Sequence, residues 1–233
     1  MIPRILIIGA LAAAGAAAQP AAPDNPVQQR LAALKQSMAQ NQAQLKLYSW
    51  TETTELSVKG ELRKREQNDC RYGPDGKVVR TPIGAAPPQA SEGGKRRGLK
   101  AKVVASKTED MKEYMDRVNS LVRRYVPPDP QAMDAALQAG KAALKAASGE
   151  LVFSDYAKPG DRLTLAFDAT TRKVRSFSVA TYLDEPKDTV TLNAHFSSLP
   201  DGTNFLEESV LDAKAKEIRI KTINFGHRKA GNL

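Results

Sequence analysis

The chain has 233 residues, with 35 Lys and Arg against 26 Asp and Glu, a formal charge of +9, one cysteine and two histidines. That length can bury a sizeable core without staples. The lone Cys70 excludes an internal disulfide, so packing and sheet hydrogen bonds must hold the fold.

Met1–Arg4 carries one positive charge, Ile5–Leu11 is apolar, and Ala12–Ala18 is nearly all alanine. This is the three-part pattern of a secretory signal peptide cut after Ala18, with no cysteine there to carry a lipid anchor. After residue 18 nothing approaches the roughly 20 apolar residues that span a membrane. The expected mature protein is soluble and periplasmic or secreted. A cationic protein in that compartment meets anionic membrane surfaces, lipids or envelope proteins rather than nucleic acid.

Residues 19–26 form a Pro/Ala spacer. Val27, Leu31, Leu34, Met38, Leu45 and Tyr48 then recur at mostly helical steps, which predicts a helix over 27–46. The period changes to two at Tyr48: Tyr48, Trp50, Thr54, Leu56 and Val58 share one face, with Glu52 the odd acid among them. Lys59-Gly60 turns the chain into a charged strand, Glu61–Tyr72. The turn Gly73-Pro74-Asp75-Gly76 leads to a third strand, 77–82. Residues 84–107 read as a loop with the basic cluster Lys95, Arg96, Arg97, Lys100 and Lys102. They suit contact with an anionic surface or simple solvation, and lack the aromatic residues that base stacking needs.

Ser106 and Glu109 read as a capping box. Met111, Tyr114, Met115, Val118, Leu121, Val122 and Tyr125 then keep helical spacing throughout. Pro127-Pro128 ends this helix, and Asp129-Pro130 starts another, alanine-rich one through about Ala147. From Glu150 the chain alternates in strands, with a slip near Ser176 and turns at Lys158–Asp161 and Leu199–Gly202. The predicted fold is α+β: a large curved antiparallel sheet, an incomplete β-barrel, covered by the N-terminal helix and two central helices. It forms one half-barrel-like domain over 27–229.

The stretches Tyr48-Ser49-Trp50 leading to Lys59-Gly60-Glu61, Arg71–Lys77, Lys158–Asp161 and Leu199–Thr203 resemble a group of uncharacterised exported bacterial proteins, of acidobacterial type. The element order resembles the half-barrel of periplasmic lipoprotein carriers, mycobacterial lipid-binding lipoproteins and a periplasmic regulator of an anti-sigma factor. That resemblance implies a hydrophobic cavity for acyl chains.

No catalytic motif is present. His195 lies opposite the apolar face of its strand, and His227 sits near the chain end without a Cys or His partner at ligand spacing. The adjacent Glu207 and Glu208 point to opposite faces and cannot act as a pair. No Gly-x-Ser-x-Gly elbow occurs. Neither a cofactor nor a metal is expected.

The apolar strand positions Trp50, Leu163, Leu165, Phe167, Phe177, Val190, Leu192 and Phe196 could line a ligand cavity or pack as core. Met111 and Met115 would form an adaptable wall on a gating helix. The sequence thus points to an exported binding protein for a lipid or acyl chain. The alternatives are a periplasmic protein–protein interaction module and, behind it, a secreted hydrolase.

Overall fold

The computed structural model describes residues 26–84, 99–168, 170–171 and 173–229, with the backbone alone for 26–31, 33–34 and 99–108. The expected signal peptide, the spacer up to Asn25, and Lys95, Arg96 and Arg97 lie outside the described residues.

Pro26–Leu45 forms helix α1 and delivers the chain into β1 (Tyr48–Val58). Lys59 and Gly60, both at positive φ, reverse it into β2 (Glu61–Tyr72), and Gly76 at φ 74° turns it again into β3 (Val78–Pro82). Helix α2 (Leu99–Val122) and helix α3 (Pro130–Gln138) follow. The remaining strands are β4 (Ala142–Lys145), β5 (Glu150–Ser154), β6 (Arg162–Phe167), β7 (Val174–Tyr182), β8 (Thr189–Ser198), β9 (Asn204–Ala213) and β10 (Ile218–Lys229).

The ten strands form one antiparallel sheet in the order β3-β2-β1-β10-β9-β8-β7-β6-β5-β4. Every neighbouring pair is consecutive in sequence except β1 and β10. Their pairing, from Tyr48↔Lys229 to Val58↔Ile218, joins the first strand to the last. β3 and β4 are the outer edges and do not pair, so the sheet is an incomplete barrel. Register shifts at Ser49/Thr51, Ala166/Phe167 and His195/Phe196 bend individual strands and increase the curl. The shift between β6 and β7 falls where Ser176 interrupts the alternation.

Helix α2 buries the stripe that its spacing predicts. Tyr114, Met115, Val118, Leu121 and Val122, followed by Tyr125, join one core with Leu151, Phe153, Leu163, Leu165, Val179, Leu192, Leu211 and Ile218 from the concave face. Tyr125 anchors this packing with a fully buried hydroxyl. It donates to Asp161 Oδ2 at 2.5 Å and lies 2.8 Å from Thr181 Oγ1. Asp161 in turn accepts the backbone N–H groups of Tyr156, Ala157 and Lys158.

Two segments differ from the sequence reading. The expected basic loop at 84–107 is already helical from Leu99, so Lys100 and Lys102 belong to α2 and Ser106 lies inside the helix. Gly98 is the last helix breaker, and Leu99–Ser106 contains neither Gly nor Pro to oppose elongation. The alanine-rich helix expected through Ala147 stops at Gln138. Asp129 caps its start by accepting from Gln131 N, while Gly140, at φ 69°, ends it with Lys141 N bonding back to Ala136 O. Ala142–Lys145 instead pairs with β5. Edge hydrogen bonding overrides the helical preference of alanine here.

Candidate functional site

Strand register sets out the concave face row by row. Arg80, Cys70 and Trp50 follow one another across β3, β2 and β1; Asn68, Glu52 and Asn224 do so across β2, β1 and β10. Thr54, Thr222, Ser209, Ala194, Phe177 and Leu165 continue from β1 through β10, β9, β8 and β7 to β6. Part of this face is not filled by α2. There the sheet and α1 border a half-open cavity of about 580 Å³.

The roof is α1, through Ser37, Met38, Asn41, Leu45 and their polar neighbours. Met38 and Leu45 belong to the apolar stripe of that helix. Asn41 fixes the roof to the start of β9: its Nδ2 donates to Asn204 O at 2.7 Å, and its Oδ1 accepts from Asn204 N at 2.6 Å. Lys35 grips Asp134 of α3 at 2.8 Å. Val126, Pro127 and Pro128, just after α2, complete its border.

Polarity changes across the cavity along the strand order. The β6–β9 side offers Leu165, Phe177, Ala194, Phe196 and Leu206. The β3–β10 side offers Arg80, Glu52, Thr222, Asn224 and His227 among the rings of Trp50 and Tyr72. Glu52, the odd acid of β1, receives Arg80 through both oxygens, Nε at 2.7 Å and Nη2 at 2.9 Å. Burial works against the Arg80 charge, but Glu52 more than offsets it and holds the guanidinium pKa above its ordinary value.

Trp50 Nε1 donates to Asn224 Oδ1 at 2.9 Å, and Asn224 Nδ2 donates to Leu206 O at 3.0 Å. His227 stacks on Trp50, with centroids 5.9 Å apart and planes 11° apart, and packs against Phe205 at 4.0 Å. Burial lowers its pKa and favours the neutral ring. At the rim, Asp201 accepts the Tyr48 hydroxyl at 2.5 Å and the Thr203 N–H at 2.9 Å, which hold its carboxyl well below the usual range. The Lys173 ammonium donates to Gly202 O.

Of the apolar residues singled out in the sequence, Trp50, Leu165, Phe177 and Phe196 line the cavity. Met115, Leu163, Phe167, Val190 and Leu192 are buried in the core, and Met111 packs against that core. The roof is therefore α1, not the Met111–Tyr125 helix. Glu52 is legible in the sequence as an acid on an apolar strand face. Arg80, Asn224 and His227 carried no comparable signal, because non-local pairing brings them there.

A shallower charged depression runs along α2, lined by Glu109, Lys112, Asp116, Arg117 and Arg124 together with Lys158. Among the described residues no group of His, Cys, Asp and Glu is arranged to hold a metal ion, and no helix is long and apolar enough to cross a membrane.

No protein-family model matches the chain, and no curated protein does. Among solved structures, the chain is similar to a DUF1329 family protein from Desulfovibrio piger ATCC 29098, at 10% identity and a TM-score of 0.43. The match covers 90% of this chain and 95% of that one.

Proposed function

We propose that this protein is an exported binding protein that carries or senses a hydrophobic or amphiphilic ligand, a lipid or acyl chain, in the cell envelope. The observation that carries the reading is the roofed cavity of about 580 Å³. Its size falls within the roughly 300–1,000 Å³ of ligand pockets. A chain laid across it would have its apolar part against Leu165, Phe177, Phe196 and Leu206, and its polar part toward Glu52, Arg80 and Asn224.

The signal-peptide pattern of residues 1–18 supports export. The basic residues Lys95, Arg96, Arg97, Lys100 and Lys102 support an approach to anionic membrane surfaces, at about 1 kcal/mol per residue near such a surface. A hydrolase reading has less support, because both cavity acids are engaged: Glu52 by Arg80 and Asp201 by Tyr48. Exposed Val79 and Ile83, on and just beyond edge strand β3, favour the protein-interaction module as the second reading.

Titration with a fluorescent acyl probe tests the proposal. Wild type should bind saturably. Thr222→Phe, which projects a ring into the cavity from β10, should lose binding while keeping its unfolding midpoint. No binding by wild type, or unchanged binding by the variant, would refute the cavity reading.

A further inference from the structure

We infer that the cavity selects amphiphiles whose buried polar group is uncharged, such as an alcohol, ester or amide, over ionised fatty acids and amines. The inference deepens the ligand-binding reading above and rests on it.

The chain has a formal charge of +9, yet the cavity wall holds as many acids, Glu52 and Asp201, as permanent cations, Arg80 and Lys173. Each is engaged by the protein. Glu52 and Arg80 take one another in a two-bond pair with side chains 8% and 12% exposed. Asp201 accepts from Tyr48 and Thr203 and lies 3.6 Å from Lys229. Lys173 donates to the Gly202 carbonyl. An entering carboxylate that approached Arg80 would meet Glu52 beside it, and an entering ammonium that approached Glu52 would meet Arg80. Either ion would give up its hydration without finding an uncompensated opposite charge.

Uncharged groups face a different wall. Ser209 and Thr222 present hydroxyls, and the amides of Asn224 and Asn41, each already bonded within the protein, retain a second N–H and a second lone pair. His227, stacked on Trp50 and tilted against Phe205, adds an imidazole whose neutral form burial favours. Asn68 sits next to Glu52 in register on the same face. It is 1% exposed, and neither its Nδ2 nor its Oδ1 has a partner. Asn68 is not among the residues that line the cavity, so the neutral polar wall is made by Ser209, Thr222, Asn224, Asn41 and His227.

Isothermal titration of the full chain with three probes of one chain length, each delivered from cyclodextrin, tests this directly: monoolein, oleate and oleylamine, at a mildly alkaline pH where the acid and the amine are both ionised. Monoolein should bind at least about tenfold more tightly than either ion. Oleate should gain affinity as the pH is lowered toward protonation of its carboxyl group. Oleate or oleylamine binding as tightly as monoolein would overturn the head-group inference and leave the acyl-cavity reading standing. Binding of none of the three would remove the ligand-binding reading and this inference with it.

Discussion

Arg80 on β3 and Glu52 on β1 close a two-bond ion pair across the intervening strand β2, with N···O distances of 2.7 and 2.9 Å and little solvent around either side chain. Taking both charges out of water offsets much of what the pair gains, so it is better understood as a device that places a neutral polar patch in a greasy cavity than as a source of stability.

Breaking one side of that pair should therefore be worse than removing both. Glu52→Gln is expected to cost about 3–5 kcal/mol because Arg80 stays buried without its partner. The double change Glu52→Leu with Arg80→Met should cost clearly less. Urea unfolding of the wild type, Glu52→Gln, Glu52→Leu, Arg80→Met and the double variant Glu52→Leu/Arg80→Met measures this. Additive losses would show that the two side chains are not coupled.

The roof is held by polar contacts that can be removed singly. Asn41→Ala deletes both hydrogen bonds to the Asn204 backbone. Hydrogen exchange across 32–45 and at the Asn204 amide should rise, while protection in β6–β8 and in β9 beyond Asn204 stays at the wild-type level. Unchanged exchange in α1 would mean that this contact does not hold the roof down.

His227 gives the cavity a pH dependence with a definite sign. Its pKa in the folded protein lies below the ordinary histidine value of 6.5 because burial disfavours the charged ring. A depressed folded pKa contributes stability that is present above the unfolded value and is lost as pH falls through the folded one. Stability should therefore decline as the pH drops below 6.5, and His227→Phe should flatten that segment of the curve. An identical slope in the variant would place the titrating group elsewhere.

The core and the cavity wall should also respond differently to truncation. Leu163 is fully buried in the core, whereas Leu165, two residues along β6, also borders the cavity. Both Leu→Ala changes fall in the range of about 2–5 kcal/mol for buried leucine, with Leu163→Ala at the upper end and Leu165→Ala at the lower. Chemical denaturation that reversed this order would contradict the assignment of void and core.

Much of this architecture is written in local patterns. The α2 stripe from Met111 to Tyr125 has one solution, a helix with that face buried, and the alternation of β1, β6 and β8 fixes which side chains share the concave face. Local patterns mislead where competing local and tertiary terms are close. Ala142–Lys145 has helical composition but gains sheet hydrogen bonds at the β5 edge, and Leu99–Ser106 extends a helix through a segment whose charges suggested a loop. The site was less legible than the fold. Glu52 stood out on an apolar face, but its partner is set by the β1–β2–β3 register, and His227 reaches Trp50 because β10 closes onto β1. The choice of roof was equally hidden, since α1 and α2 both carry apolar stripes and their placement over the sheet decides which one leaves space beneath it.

Whether the cavity holds an amphiphile is decided by native mass spectrometry of protein purified gently from its source cells, followed by solvent extraction. The expected result is a bound mass near one per chain that extracts as a lipid or other acyl compound. A clean protein mass that also takes up no added monoolein, fatty acid or phospholipid would contradict it and turn attention to the exposed β3 edge and a protein partner.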